Sequence, residues 1–111
     1  MIDKIFSISK DIRYVAIYKN GILKSKSKDS LDSASSSESD KYEELFINPV
    51  ILTAATQRGN IDCGGLDYLL IKYGNFFQFV KSIKDGHISV CIDKNADAIE
   101  IGKKIENFIS S

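Results

Sequence analysis

The chain has 111 residues, of which 43% are hydrophobic and 27% charged, and this composition is typical of a single globular domain. Its 15 Lys and Arg residues balance 15 Asp and Glu residues, so no overall basic field favours binding to nucleic acid. No apolar run reaches the roughly 18 residues that a membrane span needs, and the N-terminus lacks the apolar core of a signal peptide. We therefore expect one cytoplasmic domain over residues 1–111 that neither binds nucleic acid nor spans a membrane.

The N-terminal part of the chain is predicted to form a short helix followed by a β-hairpin. Apolar residues within 1–10 recur at helical spacing. Two segments suited to strands, residues 13–18 and 22–28, flank Asn20 and Gly21. An Asn-Gly pair between such segments predicts a two-residue type I′ turn, because that turn requires a positive φ at both central positions.

The second strand of this hairpin carries a basic strip. Residues 1–28 contain seven Lys and Arg against two Asp and Glu, whereas residues 29–46 contain one against six. The simplest interpretation is a solvated edge strand whose lysines discourage pairing with other strands. The alternative is a site for phosphate groups or an acidic partner, although no aromatic residues accompany the lysines to stack nucleic-acid bases. The candidate partner-binding residues are Lys19, Lys24, Lys26 and Lys28.

The segment after the hairpin is rich in serine. Residues 29–41 contain six serines and few apolar residues, so they bury too little apolar surface to offset the entropy cost of ordering. We predict a flexible loop or a fraying lead-in to the next helix, either a plain connection or a site of phosphorylation. Asp40, followed three residues later by Glu43, is typical of a capping box at the start of a helix.

A long middle helix is predicted next, with a proline inside its pattern. Apolar residues continue at helical spacing beyond residue 42. Pro49 would cost about 3 kcal/mol within a helix, so we expect a kink or a restart there. Asn48 is then the predicted N-cap, with the proline in the first helical position. Gly59 is a typical C-terminal stop.

The last half of the sequence predicts an antiparallel meander and a final helix. The first two strands of the meander have apolar residues on both faces, so we expect both sides to be covered, either by helix layers or in part by a second subunit. Asp85 and Gly86 predict a second type I′ turn. The final helix is expected from about Asn95, with acidic residues in its first turns. The three predicted strands are residues 66–73, 76–83 and 87–93.

The order of elements defines a fold class. It is helix, two strands, helix, three strands, helix. The five strands can form one antiparallel sheet, with the middle helix on one face and the two terminal helices on the other. The predicted architecture is therefore an α+β sandwich of three layers, α-β-β-α-β-β-β-α.

Residues that could support catalysis are few. His87, the only histidine, follows a turn, and we interpret it as a solvated residue at a strand end. The glycine pair within residues 62–65 lacks the length and the Lys-Ser/Thr of a phosphate-binding loop, so it is interpreted as a connection. Cys63 and Cys91 form neither a CxxC pair nor a metal cluster. We expect no catalytic residue, no metal and no cofactor, and hence no enzyme.

Three passages, together with the order of elements, resemble the roadblock/dynein-light-chain family, which has a profilin-like fold. Residues 11–25 are similar to its opening hairpin, residues 66–72 to the strand after its middle helix, and residues 84–92 to the hairpin before its final helix. The resemblance covers nearly the whole chain and includes no catalytic motif. The serine-rich segment 29–41 and Pro49 depart from the family pattern.

This resemblance implies a function and an interface. It implies a non-enzymatic module that forms a homodimer, or a heterodimer with a paralogue, through the middle helix and the strand after it. The joined sheet would bind a small Ras-like GTPase, or a motor or scaffold partner. The alternative is a ligand-sensing domain, PAS-like or longin-like, that holds a small apolar molecule or lipid between sheet and helix. The interface residues implied are Val50, Leu52, Thr53, Ala54 and Gln57 on the helix, and Leu66, Tyr68 and Leu70 on the strand.

Overall fold

The computed structural model describes residues 1–28 and 39–111. The predicted order of elements and the three-layer α+β fold are confirmed. Residues 29–38 of the predicted loop lie outside the described residues, whereas residues 39–41 are helical rather than loop. The elements are α1 (Ile2–Phe6), β1 (Ile12–Lys19), β2 (Ile22–Ser27), α2 (Asn48–Asp62), β3 (Leu69–Lys72), β4 (Phe76–Ile83), β5 (Gly86–Asp93) and α3 (Ala98–Ser110).

The five strands form one antiparallel sheet in the order β2-β1-β5-β4-β3. The long strands β1 and β5 are neighbours within the sheet. Their pairing joins the N-terminal hairpin to the three-stranded meander. The lysine-bearing β2 is one edge of the sheet, as predicted, and the four-residue β3 is the other. Strand pairing in β3 begins only at Leu69, three residues later than the sequence suggested.

The two faces of the sheet differ in their chemistry. The face covered by α1 and α3 is apolar, because the alternating isoleucines and valines of β1 and β5 point towards it. The face covered by the middle helix instead buries the polar side chains of Gln78, His87 and Ser89. The apolar core consists of Ile5, Ile12, Val15, Phe79, Ile88, Val90, Ile92, Ala98, Ile101 and Ile105.

The two turns for which the sequence predicts type I′ geometry differ in the structure. Asn20 (φ 54°) and Gly21 (φ 79°) are the central residues of the predicted type I′ turn between β1 and β2. The predicted type I′ turn at Asp85-Gly86 is wrong, because Gly86 is already the first residue of β5 and pairs with Ile83. The loop is therefore Lys84-Asp85, with a positive φ of 65° at Asp85.

The middle helix passes through Pro49 without a break. It is helical from residue 39, forms a π-helical turn at Glu43–Ile47 and continues as α2. Because proline has no N–H, the carbonyl four residues earlier loses its usual donor, and the Asn48 N–H bonds to the Glu43 carbonyl five residues back. The predicted kink or restart is thus replaced by one widened turn.

The sequence-predicted ends of the helices need correction. Asp40 and Asn48 both lie within helical backbone, so neither is the expected N-cap. The helix also continues past Gly59, whose backbone packs against the Gly65 backbone while its carbonyl accepts the Cys63 and Gly65 N–H groups. The final helix begins at Ala98 rather than near residue 95, because the Asp97 side chain caps it by accepting the Glu100 N–H at 3.2 Å.

Candidate functional site

The outer surface of the middle helix carries an apolar stripe. Tyr42, Leu45, Phe46 and Val50 are 61%, 51%, 54% and 55% exposed, respectively. Their spacing of three and four residues places them on one face of the helix. The rings of Tyr42 and Phe46 stack, with centroids 5.4 Å apart. We call these four residues the apolar stripe, and no other described residue of this chain covers it.

The middle helix also approaches the turn at the end of β3, the short edge strand of the sheet. A cleft of ≈ 390 Å³ between the middle helix and the β3–β4 turn is lined by residues of both, including Ile47 and Tyr73. Tyr73 donates its N–H to the Phe76 carbonyl, so by the alternation of an antiparallel ladder the N–H and C=O groups of Leu70 and Lys72 point away from β4. These backbone groups form an unpaired edge that another strand can extend.

The structure brings together only some of the interface residues suggested by the sequence. On the helix, Val50, Thr53, Ala54 and Gln57 are exposed and continue the surface of the apolar stripe. Leu52 is 5% exposed and packs inwards. On the strand side, Leu66 is half-buried, and the side chains of Tyr68 and Leu70 pack against the apolar core on the α3 side of the sheet.

Three members of the stripe were missed as surface residues. Helical spacing alone does not identify Tyr42, Leu45 and Phe46 as surface residues, since apolar residues at that spacing usually face the core. Polar residues mark the face of the helix that points to the sheet. Glu44 and Asn48, one helical turn apart, are the fully buried residues of this segment.

A buried polar cluster lies directly beneath the stripe. The His87 Nε2 atom lies 2.8 Å from the Glu44 Oε1 atom, and Asn48 donates its Nδ2 hydrogen to the same oxygen at 2.9 Å. The side chains of His87 and Glu44 are 4% and 0% exposed. The Tyr18 ring stacks on the imidazole at 5.7 Å. The interpretation of His87 as a solvated strand-end residue is therefore wrong, because the π-helical turn places a carboxylate over it.

The rest of this polar layer consists of neutral groups. Gln78 donates to the Ser89 hydroxyl and accepts the Cys91 thiol at 3.3 Å. Burial, followed by the charges of Glu44 and Asp40, raises the pKa of the Cys91 thiol far above its ordinary value. The same causes raise the pKa of the Tyr14 phenol. Both groups therefore stay protonated, and the Cys91 thiol does not supply the thiolate that a nucleophile or metal ligand needs.

The four candidate lysines differ in their contacts with the described residues. Lys26 forms an ion pair with Asp3 at 3.0 Å, and Lys28 donates to the Lys10 carbonyl. Lys19 and Lys24 are exposed and form no ion pair with the described residues. Within residues 1–28 and 39–111, no group of three His, Cys, Asp or Glu side chains is arranged to hold a metal ion. No helix in the described part of the chain has the length and apolar character needed to cross a bilayer.

Comparison with known proteins identifies a similar fold. No family model matches the sequence, and no curated protein matches it. Among solved structures, the crystal structure of a Roadblock/LC7 domain from Streptomyces avermitilis is similar, with a TM-score of 0.62 and 14% identity over 98% of this chain and 94% of that chain. At this identity the likeness is one of fold. The chain thus has the fold of a Roadblock/LC7 domain.

Proposed function

We propose that this chain is a non-catalytic regulatory or scaffold module that dimerises through the apolar stripe and the open edge of β3. The single observation that carries the proposal is the inverted polarity of the middle helix. Its inner face buries Glu44 and Asn48, while large apolar side chains face outwards. A surface helix normally has the opposite arrangement, and a contiguous exposed apolar surface is typical of an interaction site.

A second copy of the chain complements this surface. A two-fold axis beside β3 would pair the two edge strands antiparallel, through the Leu70 and Lys72 backbone groups, and extend the sheet from five strands to ten. The same axis brings the two middle helices together. Each stripe then covers the other, so apolar surface and open strand edge are removed from water in one step.

The proposal also includes a partner other than a second copy of the chain. By its fold, the dimer, or a heterodimer with a paralogue, is proposed to bind a small Ras-like GTPase or a motor or scaffold protein in the cytoplasm. Pull-down from the source lysate followed by mass spectrometry tests this part. Recovery of a small GTPase would support it, and recovery of the dimer alone would count against it.

The ligand-sensing alternative has less support from the structure. Such a domain would need an apolar chamber between the sheet and the middle helix. That space is filled by the side chains of Glu44, Asn48 and Gln78. A cleft of ≈ 360 Å³ opens beside it, where the apolar Leu45, Pro49 and Leu52 adjoin the polar Ser82 and His87. A small apolar molecule would meet unfavourable polar surface there.

Substituting Val50 with glutamate is expected to convert the dimer into a monomer. Val50 is 55% exposed at the C-terminal end of the stripe, so the substitution is tolerated in the folded subunit. In the dimer it places two like charges in a desolvated contact, and we expect the dissociation constant to rise about 100-fold or more. Sedimentation velocity at tens of micromolar measures the effect.

The matched control is Ile99→Glu. Ile99 is 64% exposed, also near the start of a helix, but on α3 and away from the stripe. This variant should sediment as the unsubstituted dimer. A wild-type chain that sediments as a monomer at these concentrations, or an equal loss of dimer in both variants, would contradict the proposal.

A further inference from the structure

A third cleft lies on the opposite face of the sheet from the middle helix, at the β2 edge. Its volume is ≈ 500 Å³. Ile17 and Ile83 in its wall also pack against the apolar core on the α1 side, which fixes the face. The apolar stripe takes no part in it. The lining residues are Met1, Ile2, Asp3, Ile17, Lys19, Asn20, Ile22, Lys24 and Ile83.

The floor of this cleft is apolar because the helices leave this corner of the sheet uncovered. Helix α1 has only five residues. Gly102 of α3 packs over Phe79 and Tyr68, towards the other edge of the sheet. As a result, Met1 and Ile22 remain 64% and 61% exposed on the rim, more than most large apolar side chains of the described chain.

Lysines and isoleucines alternate across the β1–β2 hairpin at this cleft. Ile17 lies opposite Lys24, and Lys19 lies opposite Ile22. Cross-strand partners point to the same face, so two apolar and two cationic side chains alternate on one compact surface. A ligand that fits this surface has an apolar group close to two negative charges.

The net charge at the cleft is positive. Among the described residues that line the cleft, the one carboxylate is that of Asp3, which is paired with Lys26 at 3.0 Å, and this hydrogen bond lowers the pKa of Asp3. Lys19 and Lys24 have no such partner among the described residues. Because lysines on an edge strand repel basic neighbours and attract acidic ones, the edge favours an acidic partner.

We propose that this cleft binds an acidic peptide segment of a partner protein, which inserts one aliphatic side chain between Ile17 and Ile22. Carboxylates on either side of that side chain bind Lys19 and Lys24. Binding here is independent of the dimer, since the cleft and the apolar stripe lie on opposite faces of the sheet. One dimer would therefore carry two such sites.

The experiment is an NMR titration of the full chain with a short synthetic peptide that has one leucine between pairs of glutamates. The expected result is saturable shifts of the Lys19, Ile22 and Lys24 amides. The double substitution Lys19→Glu/Lys24→Glu should weaken binding about tenfold or more. The control Lys94→Glu/Lys103→Glu makes the same change in net charge at exposed lysines outside the cleft, and it should bind within about twofold of the wild type.

The apolar part of the proposal is tested with a second peptide, in which serine replaces the leucine. It should bind about tenfold more weakly to the wild type, and Ile22→Ser should lose most of this preference. Equal weakening by the two double variants, or equal affinity for the two peptides, would overturn the proposal by showing only diffuse charge attraction. Shifts with sodium decanoate but none with the peptide would overturn it as well, since the cleft would then be a site for free amphiphiles.

Discussion

Replacing His87 with alanine is expected to lower the free energy of unfolding by about 3–5 kcal/mol. The substitution removes the imidazole that lies 2.8 Å from the Glu44 carboxylate and leaves that carboxylate fully buried. The second carboxylate oxygen, Oε2, already has no hydrogen-bond partner among the described residues. Within residues 1–28 and 39–111, Asn48 is then the one remaining donor to Glu44, and one amide does not compensate a buried charge. Urea unfolding at neutral pH, followed by circular dichroism, measures the loss.

The control for this prediction replaces both members of the pair. In the double variant Glu44→Met/His87→Leu no charge is left buried, and apolar side chains fill similar volumes. Replacing both partners of a buried hydrogen-bonded pair by apolar groups of similar shape is often nearly neutral or stabilising, so the double variant should recover most of the stability that the single variant loses. A His87→Ala protein within about 1 kcal/mol of the wild type would show that the pair does not hold the middle helix to the sheet.

Gly86→Ala is expected to destabilise the protein by about 3 kcal/mol or more, because it forces two central strands apart. A Cβ atom at this position would lie 1.7 Å from the Tyr18 carbonyl oxygen and 2.9 Å from the Lys19 Cα atom. Both are backbone atoms of β1, which cannot move aside without breaking its pairing with β5. Thermal unfolding should show a decrease in Tm of roughly 4–8 °C for each kcal/mol.

Gly74→Ala is the matched substitution in the other turn of the meander. A Cβ atom at Gly74 meets nothing within 4 Å, and its φ lies outside the left-handed region. Its stability should stay within about 0.5 kcal/mol of the wild type. Equal Tm values for the Gly86→Ala and Gly74→Ala proteins would contradict the close approach of β1 and β5.

Local signals were sufficient to predict the order of elements. The Asn20-Gly21 turn could be predicted because two adjacent positive φ angles suit few other pairs of residues. The alternation of Ile88, Val90 and Ile92 predicts a strand with these residues on one face, since every second side chain of a strand shares a face. These are relations between near neighbours in the sequence, and the structure follows them.

Relations between distant residues could not be predicted in this way. His87 is buried because Glu44, 43 positions earlier, lies over it. Gly86 is required because the Tyr18 backbone of the neighbouring strand leaves no room for a Cβ atom. The local Asp-Gly pattern instead predicts a glycine in the turn. The π-helical turn before Pro49 rotates the preceding residues relative to a regular helix, so a 3.6-residue period alone does not determine which side chains face the sheet.

The buried polar cluster and the proposed interface depend on each other. Because Glu44 and Asn48 point towards His87, their neighbours Leu45 and Phe46 point outwards. A substitution that releases Glu44 is therefore expected to alter the stripe as well as the fold. This connects the stability of the subunit to the surface through which we propose that two copies associate.

Amide hydrogen exchange at the edge of β3 tests the proposed dimer most directly. The Leu70 and Lys72 amides point away from β4, so in a monomer they exchange rapidly. Leu23 and Ser25 provide the reference, since their amides point outwards from the other edge strand, β2. We predict that raising the protein concentration from below to above the dimer dissociation constant protects Leu70 and Lys72 and leaves Leu23 and Ser25 unchanged. Rapid exchange of Leu70 and Lys72 at every concentration, in a sample that sediments as a dimer, would contradict pairing through β3.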